Sequence, residues 1–422
     1  MAAVLAAAIL SIVGPTLTVP RVAADGVPGL ADVTFYGRGY GHGVGMSQYG
    51  ARGRALAGQL APEILAHYYA KTTLGTRSIS LVMRVLLLSG FAATSTKPLT
   101  VVGLTGEYRI DGIDATFPKA SRVTLVPTAP KATTWALRVK SSTGALLATK
   151  TVSGSVYIRP TTTTSLLQLV SKPSTSNLYR GYFRVRLTTT AMVVNHVTIE
   201  RYLRGVVPLE MPSSWPVEAL KAQAIAARSY GLQHRHPTTG YYDVYDDTRS
   251  QVYRGRKAET VAGSAAVTST AGVVLLSGTS LVNALFHSAD GGWTENNENV
   301  FVSSTGSIVA GPLSYLRGSS DRAPDGSSYD RDSPYATWKT ATYTGAALSA
   351  IFAKDPRTAV GTLSDIDLSR RGVSGRLISV TLTGTLGTRT VSGEVFRSAF
   401  NTGRPLGDPS LRSILFDASP IP

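Results

Sequence analysis

Apolar positions along this chain fall into distinct textures. From Val33 to about Gly75 the sequence is glycine-rich and then helical: SQYGARGRALAGQ and APEILAHYYA return small and apolar residues at helical spacing. From Ile79 to about Thr198, β-branched runs such as SLVMRVLLL, RVTLVPT, WALRVKSS and YFRVRLTTT alternate with Gly, Pro, Ser and Lys breaks, as successive antiparallel strands do. Between Val194 and His236 the pattern predicts a strand VNHVTIERYL, a proline-bracketed loop VVPLEMPSSW and a helix PVEALKAQAIAARSYGL. Pro216 suits the first helical position, where a missing N–H costs nothing, and Glu218 suits the positive end of the helix dipole. Ala219, Ala222 and Ala226 leave a smooth face for close packing. There follow a polar loop YYDVYDDTRSQVYRG, a helix near Ala258 to Thr270, a strand GVVLLS, the segment FHSADGGWTENNENVF and further strands from Gly361 to Phe416. The expected class is α+β, with a largely antiparallel sheet and several helices.

Length and composition sharpen this picture. A chain of 422 residues, 43% hydrophobic, can bury a substantial core and has room for two or three domain-sized units. The stretch AAVLAAAILSIVG has the length of a signal-peptide apolar region, and Val22-Ala23-Ala24 offers small residues for cleavage before Asp25. Residues 1–24 are therefore expected to be an export signal, which makes the protein extracellular or wall-associated. No Lys or Arg precedes the apolar run, so an uncleaved leader acting as a membrane anchor is the alternative, and a buried N-terminal helix the plainer one. The absence of cysteine leaves stability to ordinary packing and excludes thiolate metal sites. The formal charge of +16 favours a polyanionic neighbour, either nucleic acid, anionic lipid or a phosphate-rich wall polymer. Because Lys and Arg are scattered, with no long basic run, zinc finger or RNP-type motif, no nucleic-acid partner is expected.

Chemistry concentrates around Glu210. Pro208 and Pro212 bias Val207 and Met211 towards extended backbone, which would hold Glu210 in a stiff loop before a helix. Leu209, Met211 and Trp215 surround it with apolar groups that raise its pKa, while the nearby helix N-terminus lowers it. On spacing alone, a helix-capping or salt-bridged acid is an equally good reading. In GRGYGHGVGMSQYG, glycines at 37, 39, 41, 43 and 45 would let an extended backbone present Arg38, Tyr40, His42 and Val44 on one face; a tightly packed sheet or bulge is the plain alternative. The segment lacks the GK[ST] ending of a phosphate loop. Lys221, Gln223 and Arg228 lie on or near the helix after Glu210, where a solvated face or a structural ion pair is the ordinary expectation. His287, Ser288 and Asp290 suggest a triad, but neighbours on a strand point to opposite faces, so His287 reads better as a substrate contact or core histidine. His234, His236, Asp243, Asp246 and Asp247 could hold a cation, although a solvated polar loop is the commoner outcome.

The segment VNHVTIERYLRGVVPLEMPSSWPVEALKAQAIAARSYGL resembles the core signature of the SpoIID/LytB (stage II sporulation protein D) family. DVYDDTRSQVYRG, FHSADGGWTENNENVF, SGRLISVTLTG with VSGEVFRSAF, and GRGYGHGVGMSQYGARGRALAG also resemble family blocks, so the resemblance runs from about residue 33 to 416. In the usual family arrangement the GHGVGMSQYGA block lies near the C-terminus, whereas here it comes first. A circular permutation, tolerated where termini lie close together, would return His42 to the same site. The implied organisation is residues 33–75 as the glycine-rich block and helices of the permuted domain, 79–190 as a β-rich subdomain and 191–416 as the family core, with helices around a substrate groove. The resemblance implies an exported peptidoglycan lytic transglycosylase with Glu210 as acid/base. A hydrolase usually positions two carboxylates, but here the sugar's own C6 hydroxyl attacks, so one suffices. Tyr40, His42, Gln48, Lys221, Tyr230 and His287 become expected contacts to glycan strands, with His42 as a hydrogen-bond donor. The LytB side of the family implies the alternative, a non-catalytic enhancer of a cell-wall amidase. Neither cofactor nor metal is expected, since zinc-binding members carry cysteines where Tyr245 and Ser250 stand here.

Overall fold

The computed structural model describes residues 30–421, so the leader predicted over residues 1–24 lies outside the described residues. The β-rich stretch forms most of one large curled sheet. Its strands run in the spatial order Leu178–Tyr179, Leu167–Leu169, Leu99–Gly103, Arg122–Pro127, Thr134–Lys140, Leu146–Pro160, Tyr182–Leu187, Ala191–Thr198, Val82–Phe91 and Val244–Tyr245. Neighbours along this path are antiparallel until the last pair, which is parallel. The curl is made by Leu146–Pro160, whose first half pairs with Thr134–Lys140 and whose second half pairs with Tyr182–Leu187. The exchange occurs at Gly154, where φ of +68° is open to glycine and strained for other residues. Strict alternation then points Trp135, Leu137 and Val139 inward against Val123, Leu125, Phe183, Val185, Met83 and Val85. Each such buried side chain contributes about 1.5–3 kcal/mol relative to exposure. The α+β class and its antiparallel bias are as the sequence predicts.

Helices α1 (Gln48–Leu56), α2 (Ala61–Tyr68), α3 (Ile199–Arg204), α4 (Val207–Glu210), α5 (Val217–Gln233) and α6 (Val261–Ser269) pack beside this sheet. The alanine-rich α5 is the axis of the arrangement, because small side chains let it serve two cores at once. Ala224, Ala227 and Leu232 join the sheet core. Ala219, Leu220, Ala222, Ile225 and Ala226 join a second core with Met46, Ile64, Leu65, Tyr69 and Met211. A third core, nearer the C-terminus, collects Phe35, Phe396, Phe400 and Phe416, with the other rings 5.2–5.8 Å from Phe35 at steep angles. Phe35 lies on the strand Val33–Gly37, which is hydrogen-bonded to both Trp338–Tyr343 and Phe416–Asp417. The beginning and end of the described chain are thus side by side, the geometry in which a block can change ends without disturbing a fold.

Two local expectations fail for identifiable reasons. Val207 is the first residue of the short helix α4 and fully buried, not extended, because Pro208 occupies a first-turn position that needs no N–H. Met211 is extended, at φ −129° and ψ 134°, and Pro216 caps α5 from just outside. The glycine-rich block is not an alternating strand either: Gly39, Gly41, Gly43 and Gly45 all have φ between +71° and +104°. Tyr40 is consequently exposed while Val44 is fully buried, so the two do not share an outward face.

Candidate active site

Glu210 ends α4 and faces a cleft of about 480 Å³. The walls come from four separated stretches: His42 and Gln48; Glu210 and Tyr230; Thr248 to Val252; and Leu285 to Phe301. What joins the first and last is a short parallel pairing of Met46–Ser47 with Phe286–His287. That pairing requires glycine at 45, since a Cβ there would stand 2.1 Å from the Leu285 carbonyl oxygen. Gly43 is equally constrained, by the Arg376 guanidinium at 2.1 Å. Ser47 then caps α1 by accepting from the Gly50 N–H at 3.1 Å, and this places Gln48 at the first helical position beside Glu210.

The Gln48 amide donates to Glu210 Oε2 at 3.3 Å and to Gln223 Oε1 at 3.4 Å. Burial pushes the Glu210 carboxyl pKa up, against smaller downward pulls from the Gln48 amide and the Val252 backbone N–H. Among the described residues no Lys, Arg or His forms an ion pair with Glu210. The carboxyl is therefore oriented by neutral donors and retains its proton to higher pH than a solvated glutamate. Tyr230, one face of which packs on His234 at 4.1 Å between centroids, is the next titratable group. Burial, and then the Glu210 charge, raises its pKa, so it stays a neutral phenol hydrogen-bonded with Ser250. Gln223 is fully buried, with its Nε2 left unpartnered.

Of the residues expected from sequence, Gln48, Tyr230, His42 and His287 line the same cleft as Glu210, and Tyr40 lines an adjoining cavity. Lys221 does not. It is paired with Glu218 one turn away at 2.7 Å, and Glu218 in turn accepts from the Ala61 N–H, tying α5 to α2. The donor role expected of His42 is also corrected. Its Nδ1 accepts from the Val44 N–H at 3.0 Å, which leaves the proton on Nε2 to be donated to the Phe286 carbonyl at 3.0 Å. Both nitrogens are thus consumed in clamping the glycine-rich block to the strand opposite. His287 donates Nδ1–H to the Val44 carbonyl at 3.3 Å and keeps a buried, unpartnered Nε2. Burial holds both imidazoles neutral, lowering His42 to about 4 and His287 well below its ordinary value.

This has a consequence for acid stability. His42, His67 and His196 all fall to about 4 through burial, from an ordinary 6.5. Between those values the unfolded chain binds more protons than the folded one, so stability is present above pH 6.5 and lost as pH falls to 4. Thermal midpoints measured across this window are expected to drop on acidification. His42→Gln should flatten part of that slope; an unchanged slope would contradict the assignment.

Other suggested constellations dissolve into structural contacts. Asp290 accepts from the Gly292 N–H at 2.9 Å and is fully buried with Asp321 and Asp330 nearby, which drives its pKa well up; it does not contact His287. Asp243, Asp246 and Asp247 are ion-paired with Arg84, Lys172 and Arg249 at 2.5–2.7 Å. Among the described residues no group of three His, Asp or Glu side chains converges to hold an ion. Sequence reasoning missed the opposite lip of the cleft, Thr248, Arg249 and Gln251, and the apolar floor from Phe286 and Phe301. Nothing in a polar loop signals that it will face a glutamate some forty residues earlier.

Comparison with known proteins bears on the segment that carries Glu210. Residues 188–276 match the family described as SpoIID, stage II sporulation protein. An amidase enhancer of Bacillus subtilis is 36% identical over 151 residues, 34% of this chain and 21% of that protein. Stage II sporulation protein D of the same organism is 34% identical over 131 residues, 27% of this chain and 38% of that protein. An uncharacterized protein of Brachyspira hyodysenteriae is 39% identical over 125 residues, 29% of this chain and 34% of that protein. In each case the aligned stretch spans well under half of the relative's length.

Proposed function

We propose, for a chain of the SpoIID/LytB family with that signature over residues 188–276, an activity on bacterial peptidoglycan in which Glu210 cleaves glycan strands as a lytic transglycosylase. The observation that carries this reading is that, among the described residues, Glu210 is the sole carboxylate lining its cleft. Glycoside hydrolysis ordinarily needs two carboxylates, flanking the scissile bond. A single protonated acid serves if the sugar supplies its own nucleophile. Glu210 gives its proton to the glycosidic oxygen and the C1–O bond breaks. The C6 hydroxyl oxygen then bonds to C1, and its proton returns to the Glu210 carboxylate, leaving a 1,6-anhydro end and a regenerated acid. Burial supports the first half of the cycle by keeping the proton on Glu210, and the Gln48 and Val252 N–H groups support the second by stabilising the anion.

The second reading is a non-catalytic enhancer of a wall amidase, favoured by the name of the Bacillus subtilis relative. Incubating the full chain with glycan strands, with and without stem peptides, and analysing products by mass spectrometry separates the two. Anhydro-ended fragments are expected under the first reading. Absence of fragments, with faster release of peptides by an added amidase, would replace it with the second. Export and wall association belong to the same proposal, and the +16 charge supports retention on an anionic wall.

A further inference from the structure

We infer that the groove continues past Glu210 to an anion subsite centred on Arg412, which takes a carboxylate carried by the polymer; this deepens the glycan reading above and rests on it. The cleft adjoins a second cavity of about 540 Å³, and His42, Thr248, Ser288 and Phe301 are walls common to both. A chain lying across Glu210 is led over these residues towards Tyr40, Glu394, Arg397 and Arg412.

The charges at that end do not cancel. Arg397 donates Nε and Nη2 to one oxygen of Glu394, at 2.9 and 2.6 Å, so those two neutralise each other. Arg412 has no acidic partner and no side-chain hydrogen bond among the described residues, and one net positive charge remains. Its guanidinium is nevertheless held in place, 5.0 Å from the ring centroid of Tyr335 and 5.9 Å from that of Tyr40, two rings that pack on each other at 4.8 Å. Its backbone is fixed as well, the carbonyl accepting from the Gly41 N–H at 3.2 Å, next to His42. A guanidinium oriented by aromatic rings is weakly hydrated and presents its N–H fork to a carboxylate with little ordering left to do. The exposed ring of Tyr40 lies beside it, a stacking surface for the sugar that bears the acid. Two parts of peptidoglycan offer that acid: the lactyl group of a muramic residue freed of peptide, and the free carboxyls of a stem peptide.

The test is calorimetric titration of the full chain carrying Glu210→Gln, to prevent turnover. The probes are a neutral chito-oligosaccharide, a peptide-free muramic-containing oligosaccharide of the same length, and the latter with stem peptides attached. Adding Arg412→Gln is expected to weaken an acid-bearing probe about tenfold, the loss of one charge-assisted contact, and to leave the neutral probe unchanged. The acid-bearing probe that suffers the loss identifies the source of the carboxylate. Arg412→Lys should recover part of it, since charge returns without the planar fork. Equal weakening of all three probes, or none, would overturn the subsite while leaving glycan binding in place. Failure of the parent to bind any probe would instead remove the glycan reading, and the subsite with it.

Discussion

Replacing Glu210 by Gln is expected to lower glycan cleavage by roughly 10²–10⁴-fold, the usual contribution of a positioned general acid and base, while leaving the fold intact. The amide is nearly isosteric, and its oxygen can still accept from the Gln48 side chain now bound to Oε2 at 3.3 Å. It has no dissociable proton to give to a leaving oxygen. Wild-type cleavage should decline as pH rises through the elevated pKa of Glu210, because only the protonated carboxyl starts the cycle. The same shift makes a statement about stability. A carboxyl whose folded pKa is raised contributes stability that is present below its unfolded pKa and lost as pH rises through the folded value. Above that folded value the wild type carries a buried charge, without an ion-pair partner among the described residues, that the variant lacks. Glu210→Gln should melt no lower than wild type at neutral pH, with any advantage vanishing below the ordinary glutamate range. A variant that is inactive and also less stable at neutral pH would point to a structural role instead.

That Glu210 stands just before an alanine-rich helix was legible in the sequence, because chain connectivity alone keeps those neighbours together. Spacing left its role open between an acid/base and a capping group, and only the resemblance of its block favoured the first. The antiparallel sheet was legible for a similar reason: alternation in runs such as WALRVKSS is a local property that the inner face of the sheet reproduces at Trp135, Leu137 and Val139. What failed was local geometry decided by distant contacts. The alternation of glycines from 37 to 45 suggested one extended face, but Gly43 and Gly45 are there to admit the Arg376 side chain and the Leu285 carbonyl, each more than 200 residues away. His42 was read as a donor to substrate because its partners, Val44 and Phe286, are backbone groups that no side-chain pattern announces. Lys221 was placed in the site by its nearness to Glu210 in sequence, yet a helix turns most of its residues away from any one point, and Glu218 one turn back claims it. Gln48, by contrast, was picked out by the resemblance of its segment and not by any period, and the Ser47-capped start of α1 brings it to Glu210 across 162 positions.

A buried charge ties the helix that carries Gln223 and Tyr230 to its neighbours, and Arg228→Met should destabilise the protein by about 3 kcal/mol, the lower end of the range for breaking a buried pair. Arg228 is fully buried on α5. Its Nε and Nη2 meet the two oxygens of Glu200 on α3 at 2.9 and 2.8 Å. Nη2 also reaches the Val267 carbonyl on α6 at 3.2 Å, and Nη1 the Val273 carbonyl at 3.0 Å, on the strand Val273–Ser277. Methionine fills much of the volume but satisfies none of these acceptors, and it leaves the Glu200 carboxylate facing the interior with only the Gly272 N–H at 3.1 Å. Glu200 keeps some contact with water, at 14% side-chain exposure, which is why the lower end applies. Removing both charges should cost less than the sum of the single changes, by 0.5–3 kcal/mol for directly coupled groups, so Arg228→Met with Glu200→Gln is the control. Lys221→Met, which breaks the half-exposed pair on the same helix, should shift the urea midpoint far less, since such pairs contribute roughly 0–1 kcal/mol. Per folded molecule, Arg228→Met should retain most of its cleavage rate, the reverse of Glu210→Gln. If Arg228→Met lost its rate at unchanged stability, Arg228 would belong to the chemistry and the division between scaffold and acid drawn along α5 would fail.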